Sequence, residues 1–166
     1  MMGHVIYFTI GWMVMAFLYF QNHKFPFRLN FLLFMVLEII QINLFTSFTM
    51  RWKLFTLSEH PAEFITIVIH RDIIFPLTLL IWSNYVFWQA SIVKRIIFSV
   101  GVLLFLSATE QGLRMLEFIH DRHWNIGYFI GICLVLGIIS ILFIGIMLKL
   151  INKEKHINGD TFGKHP

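Results

Sequence analysis

From Ile126 to Leu148 the chain carries no charged side chain. A run of that length matches the about 20 apolar residues that a helix needs to cross the hydrocarbon core of a bilayer. It is not alone. Four further apolar segments, about 5-20, 29-48, 64-88 and 96-118, are separated by short polar connections such as Gln21-Asn22-His23-Lys24. Hydrophobic residues make up 58% of the 166 and charged residues 13%, where soluble domains run about 45–50% and about 25%. The expected fold is therefore all-α: a polytopic membrane helix bundle of five transmembrane helices. These form a single domain over 1-148, followed by a polar cytoplasmic tail over 149-166. Five spans consume most of the chain, so no loop is long enough to hold a separate catalytic domain.

Charge sets the expected orientation. Thirteen basic residues against nine acidic ones give +4, a modest excess that reads as topology rather than as a nucleic-acid footprint. Lys24, Arg28, Lys94, Arg95, Lys149, Lys153, Lys155 and Lys164 fall in the connections after the first and third segments and in the tail. Only Arg51, Lys53 and Arg122 fall on the other side. The positive-inside rule then predicts the N-terminus out and the C-terminus in. Trp52, Trp88 and Trp124, near segment ends, fit an aromatic belt. The start Met-Met-Gly-His-Val lacks the basic region of a secretory signal, so the first segment is expected to remain as a span. A single cysteine, Cys133, excludes an intramolecular disulfide and a cysteine metal cluster.

Ionisable residues at membrane depth are costly, and they mark either a functional site or an internal ion pair. The second segment holds Glu38, Gln41 and Asn43. The third is interrupted by His70-Arg71-Asp72, with Pro76 four residues beyond the aspartate. Proline has no N–H, so the Asp72 carbonyl loses its helical donor and a kink is expected there. In the fourth segment Ser107, Glu110, Arg114, Glu117 and Asp121 recur at helical spacing as a polar stripe. Counted at 1.5 Å per residue from Glu63 and from Phe118, Arg71 and Glu110 both lie about 12 Å deep. Two arrangements follow. Glu38, Gln41, His70, Arg71, Asp72, Glu110 and Arg114 line a polar cavity for a ligand or ion. Alternatively, Arg71 pairs with Glu110 and Asp72 with Arg114, solely to neutralise charge between packed helices.

Other signals are weaker. His120 and His123, with Glu59, His60 and Glu63 on the same face, offer metal-type donors without a fixed third ligand, and neither a metal site nor a cofactor is expected. His70-Arg71-Asp72 repeats the spelling of the protein-kinase catalytic loop, but no glycine-rich loop or Asp-Phe-Gly accompanies it. Gly127 and Gly131 form a G-x-x-x-G pattern suited to close helix packing within the bundle.

Two resemblances can be stated on residues. Glu110-Gln111-Gly112-Leu113-Arg114 resembles part of the Glu-Glu-x-x-x-Arg motif of intramembrane prenyl-protein-processing proteases. Thr109, however, replaces the first glutamate, and the last segment lacks the expected Phe-x-x-x-His. Over about Glu63 to Tyr128, Pro76, Asn84, Lys94, Glu110 and Trp124 are placed as in a family of small multi-spanning membrane proteins of endospore-forming Firmicutes. A second proline that often follows the asparagine in that family is missing from Tyr85-Val86-Phe87. This resemblance implies a protein of the bacterial cytoplasmic membrane and supplies no activity and no catalytic residue.

The function expected first is a small membrane subunit or scaffold acting through helix contacts, with no enzymatic chemistry favoured. The alternative is a bundle that binds or transports a small ligand or ion through the polar cluster of the second to fourth segments. The expected partners are the lipid bilayer and other membrane proteins or further copies of the chain.

Overall fold

The computed structural model describes residues 2–20, 25–58, 60–121 and 125–162. Helix α1 is Met2–Phe20, and α2 is Phe27–Thr46, prolonged by a π-helical turn over Ser47–Arg51. A short strand β1 (Phe55–Leu57) precedes α3 (Pro61–Ile69). A second π-helical turn, His70–Ile74, joins α3 to α4 (Phe75–Trp88). Helix α5 (Ile92–Met115), strand β2 (Ile119–Asp121) and α6 (Ile126–Phe162) complete the chain. Among the described residues the fold is all-α in its main elements, with five helices long and apolar enough to cross a membrane. The helical backbone of α6 continues through residues 149–162, where a frayed tail is expected from the sequence. Lys24, Glu59, Arg122, His123, Trp124 and Lys164 lie outside the described residues.

The rod formed by α3, the π turn and α4 is the central element. Of its most apolar stretch 56% is buried inside the protein, against 33% or less for the other four helices. Its start follows from local chemistry, since Pro61 occupies the first turn, where a missing N–H costs nothing, and Glu63 sits at the positive end of the helix dipole. At its middle, α-helical geometry would press the Pro76 ring against the Asp72 carbonyl. The chain widens instead into the π turn, where the Phe75 N–H donates to the carbonyl of His70, five residues back. The expected kink is thus taken up upstream of the proline, and the helix runs on to Trp88.

Contacts fix the relative directions. His70 meets Thr109 at one end and Trp82 meets Ser99 toward the other, so α5 runs antiparallel to the rod. Asn84 donates to Asn30 at 2.9 Å while Arg71 lies over Phe45, which makes α2 antiparallel as well. Phe75 packs on Phe129 and Trp82 packs against Gly137, so α6 runs parallel. One apolar core, including Leu33, Leu37, Phe75, Leu79, Leu106 and Leu136, joins α2, α4, α5 and α6. A second, with Tyr7, Ile67, Ile74, Leu113 and Ile119, joins α1 to the rod and to the strands. Among the described residues no neighbouring helix lies against Gly127 or Gly131, so the packing expected at that pattern is not seen there.

The two strands are absent from the sequence expectations. They pair antiparallel, Phe55 with Asp121 and Leu57 with Ile119, and Ser58 N–H extends the ladder to the Phe118 carbonyl at 3.1 Å. Both strands follow left-handed residues, Lys53 (φ 49) and Glu117 (φ 60). At Glu117 the turn is a helix stop of the Schellman type. Its N–H bonds the Arg114 carbonyl, and the Phe118 N–H bonds that of Leu113, each at 3.0 Å. Helix α5 therefore ends at Met115, three residues short of the expected 118. The expected polar stripe stops at Arg114, because Glu117 is exposed in the turn and Asp121 lies in β2.

Candidate functional site

Beneath the strand pair, near the bundle end that carries the N-terminus, lies a small cavity of about 40 Å³. Its polar lining is Gln41 from α2, His70 and Arg71 from the π turn, and Glu110 from α5. Phe55 of β1 and Ile119 of β2 contribute apolar walls. Four of the seven residues singled out in sequence thus line one space, and the depth matching of Arg71 with Glu110 brings both to it.

The pairing differs from the expected one. Arg71 does not reach across to Glu110. Its guanidinium forks onto the carboxylate of its neighbour Asp72, through Nε and through Nη2 at 2.7 Å, and lies 4.9 Å over the ring of Phe45. Adjacent residues on an α-helix point about 100° apart and do not face each other. Both belong here to the wider π turn. Arg114 does not reach Asp72 either. It donates from Nη2 to Glu110 Oε1 at 2.6 Å along one turn of α5, with the two side chains only 7% and 11% exposed. Each basic residue is held by a carboxylate of its own segment, because a local partner costs less ordering than one on a separate helix.

The other Glu110 oxygen, Oε2, faces Nδ1 of buried His70 at 3.8 Å. On its far side His70 Nε2 is 3.0 Å from Thr109 Oγ1. The Thr109 hydroxyl spends its proton on the Leu106 carbonyl at 2.9 Å, so Nε2 is the donor in that contact. Tyr7 of α1 donates its hydroxyl to the Thr109 carbonyl and sets its ring edge-on to His70. One turn nearer the bundle end the same arrangement recurs: His4 Nδ1 lies 2.7 Å from Thr66 Oγ1, which itself donates to the Ala62 carbonyl. Thr66 and His70 share a face of the central rod. A polar seam therefore ties α1, the rod and α5 together beside the cavity.

Sequence reasoning passed over Tyr7, Thr109, His4 and Thr66. Tyr7 and His4 lie in a segment without charge, and Thr109 registers there only as a departure from a protease motif. Two of the expected residues keep unmet bonding capacity. Glu38 Oε2 and Gln41 Oε1 are buried and have no hydrogen-bond partner. Glu38, one turn from Gln41, lies within electrostatic reach of Asp72 and Arg71. Among the described residues no three His, Cys, Asp or Glu side chains converge as a metal centre, and His60 and His120 are exposed. No protein-family model, curated protein or solved structure matches the chain.

Proposed function

We propose that the chain is an integral membrane protein, N-terminus outside and C-terminus in the cytoplasm, that binds a small polar ligand or ion in the cavity under β1 and β2. The observation that carries this reading is the pair of buried, unpartnered oxygens on Glu38 and Gln41 beside a cavity lined by His70, Arg71 and Glu110. A buried acceptor without a donor costs about 1–3 kcal/mol. An apolar side chain of similar size would seal the same helices more firmly. Retained polar groups that weaken the apo fold are the mark of a site rather than of a scaffold. The π turn supports the reading, since such widened turns gather at functional sites.

The test compares the thermal unfolding midpoints of purified wild type, Glu38→Gln and Gln41→Leu in detergent without added ligand. A binding site predicts variants as stable as wild type or more so. Clear destabilisation by both variants would return the reading to a scaffold that acts through helix contacts.

A further inference from the structure

The chemistry of the occupant can be read from which bonding groups around the cavity are already spent. The guanidinium, imidazole and phenol donors beside it are engaged. Arg71 is forked onto Asp72, His70 Nε2 is on Thr109 Oγ1, and the Tyr7 hydroxyl is on the Thr109 carbonyl. Among the lining residues the buried atom left without a hydrogen bond is an acceptor, Gln41 Oε1, and Glu38 Oε2 one turn away is a second. An occupant therefore has to bring donors or positive charge.

Charge points the same way. Three carboxylates, Glu38, Asp72 and Glu110, stand against two guanidiniums, Arg71 and Arg114, which leaves one negative charge in excess with histidine counted neutral. Asp72 and Glu110 have their counter-ions, so Glu38 is the carboxylate left without one. Away from water the ionisation of a carboxyl group is costly, and a bound cation lowers that cost. Size narrows the class. A cavity of about 40 Å³, where about 10–15 Å³ in the same measure holds one water, has room for a few waters and suits a small cation better than a bulky one. The lack of converging imidazoles and carboxylates among the described residues disfavours a transition metal and suits a weakly held monovalent ion.

We propose that the cavity holds one small monovalent cation, ammonium or an alkali-metal ion, accepted by the oxygens of Gln41 and Glu110 and balanced in charge by Glu38. This rests on the reading of the cavity as a ligand site and assigns its ligand class.

The experiment follows tryptophan fluorescence of the full-length protein in detergent during thermal unfolding. The protein starts in choline chloride and is titrated with lithium, sodium, potassium and ammonium chloride at constant ionic strength. At least one small cation should raise the midpoint saturably, by about 5 °C at a hundredfold excess over its Kd. Glu38→Gln and Gln41→Leu should each weaken that response at least tenfold, while Asn43→Ala, on an exposed part of α2, keeps it. A midpoint that is the same in all four salts as in choline overturns the cation. A parallel titration with choline formate and choline nitrate separates the two levels of failure. A rise that Arg71→Gln removes, with no response to cations, would keep a ligand site and reverse the sign of its ligand. No response to any solute, together with destabilised Glu38→Gln and Gln41→Leu, would remove the site as well.

Discussion

Glu110 holds Arg114 at 2.6 Å with one oxygen and turns the other toward His70 Nδ1 at 3.8 Å. The arginine side chain is 7% exposed, and that carboxylate is a close counter-charge for it. Glu110→Gln should cost about 3–5 kcal/mol, because it takes the counter-charge from the other member of a buried pair. Adding Arg114→Met should restore most of the loss. The combination Glu110→Gln with Arg71→Gln should restore nothing, since these two residues do not pair. Thermal midpoints of the singles and both doubles distinguish the observed pairing from a cross-helix one.

His70 spends its Nε2 proton on the Thr109 hydroxyl, deep between the central rod and α5. Thr109→Val keeps the volume and deletes the acceptor, leaving a buried N–H without a partner. The expected loss is about 1–3 kcal/mol. Thr109→Ser, which keeps the oxygen, should stay within about 1 kcal/mol of wild type. Equal behaviour of the two variants in thermal unfolding would show that the contact carries no stability.

The sequence makes the spans and the depth of the cluster legible because both depend on translation along a helix. Counting 1.5 Å per residue from Glu63 and Phe118 brings Arg71 and Glu110 to one cavity. Pairing depends on rotation about the axis, and the π turn at 70–74 alters that rotation in a way no periodicity records. Arg71 consequently finds Asp72 beside it. The strand pair was hidden for another reason. Phe55–Leu57 and Ile119–Asp121 are each only three residues long, too short to show a period, and they pair because helix-terminal turns at Lys53 and Glu117 bring the two connections together. Thr109 and Tyr7 carry no charge, so a search for costly side chains ignores them.

Glu117 adopts φ 60 to close α5, a conformation that disfavours an L side chain and suits glycine. Its side chain is exposed, so nothing is lost with it. Glu117→Gly should raise stability by about 1 kcal/mol, and Glu117→Val should lower it by at least as much. Denaturation midpoints of the two variants must fall on opposite sides of wild type. A glycine variant less stable than wild type would show that the carboxylate does more than end the helix.

Gly112 faces the same tyrosine that holds the Thr109 carbonyl. A Cβ placed there would lie 2.6 Å from the Tyr7 hydroxyl oxygen, closer than nonbonded atoms tolerate. Tyr7 is buried and its hydroxyl is bonded, so it cannot retreat without breaking its contact with α5. Gly112→Ala should therefore cost about 1–3 kcal/mol, the usual penalty for overfilling a packed interface. Tyr7→Phe removes the atom that the new methyl group would strike, at the cost of one hydrogen bond, about 1 kcal/mol. Gly112→Ala in the Tyr7→Phe background should then cost far less than in wild type. The difference between the two measured costs is the coupling between α1 and α5 at the edge of the cavity. Equal costs in both backgrounds would mean that α1 does not approach α5 as closely as this arrangement requires.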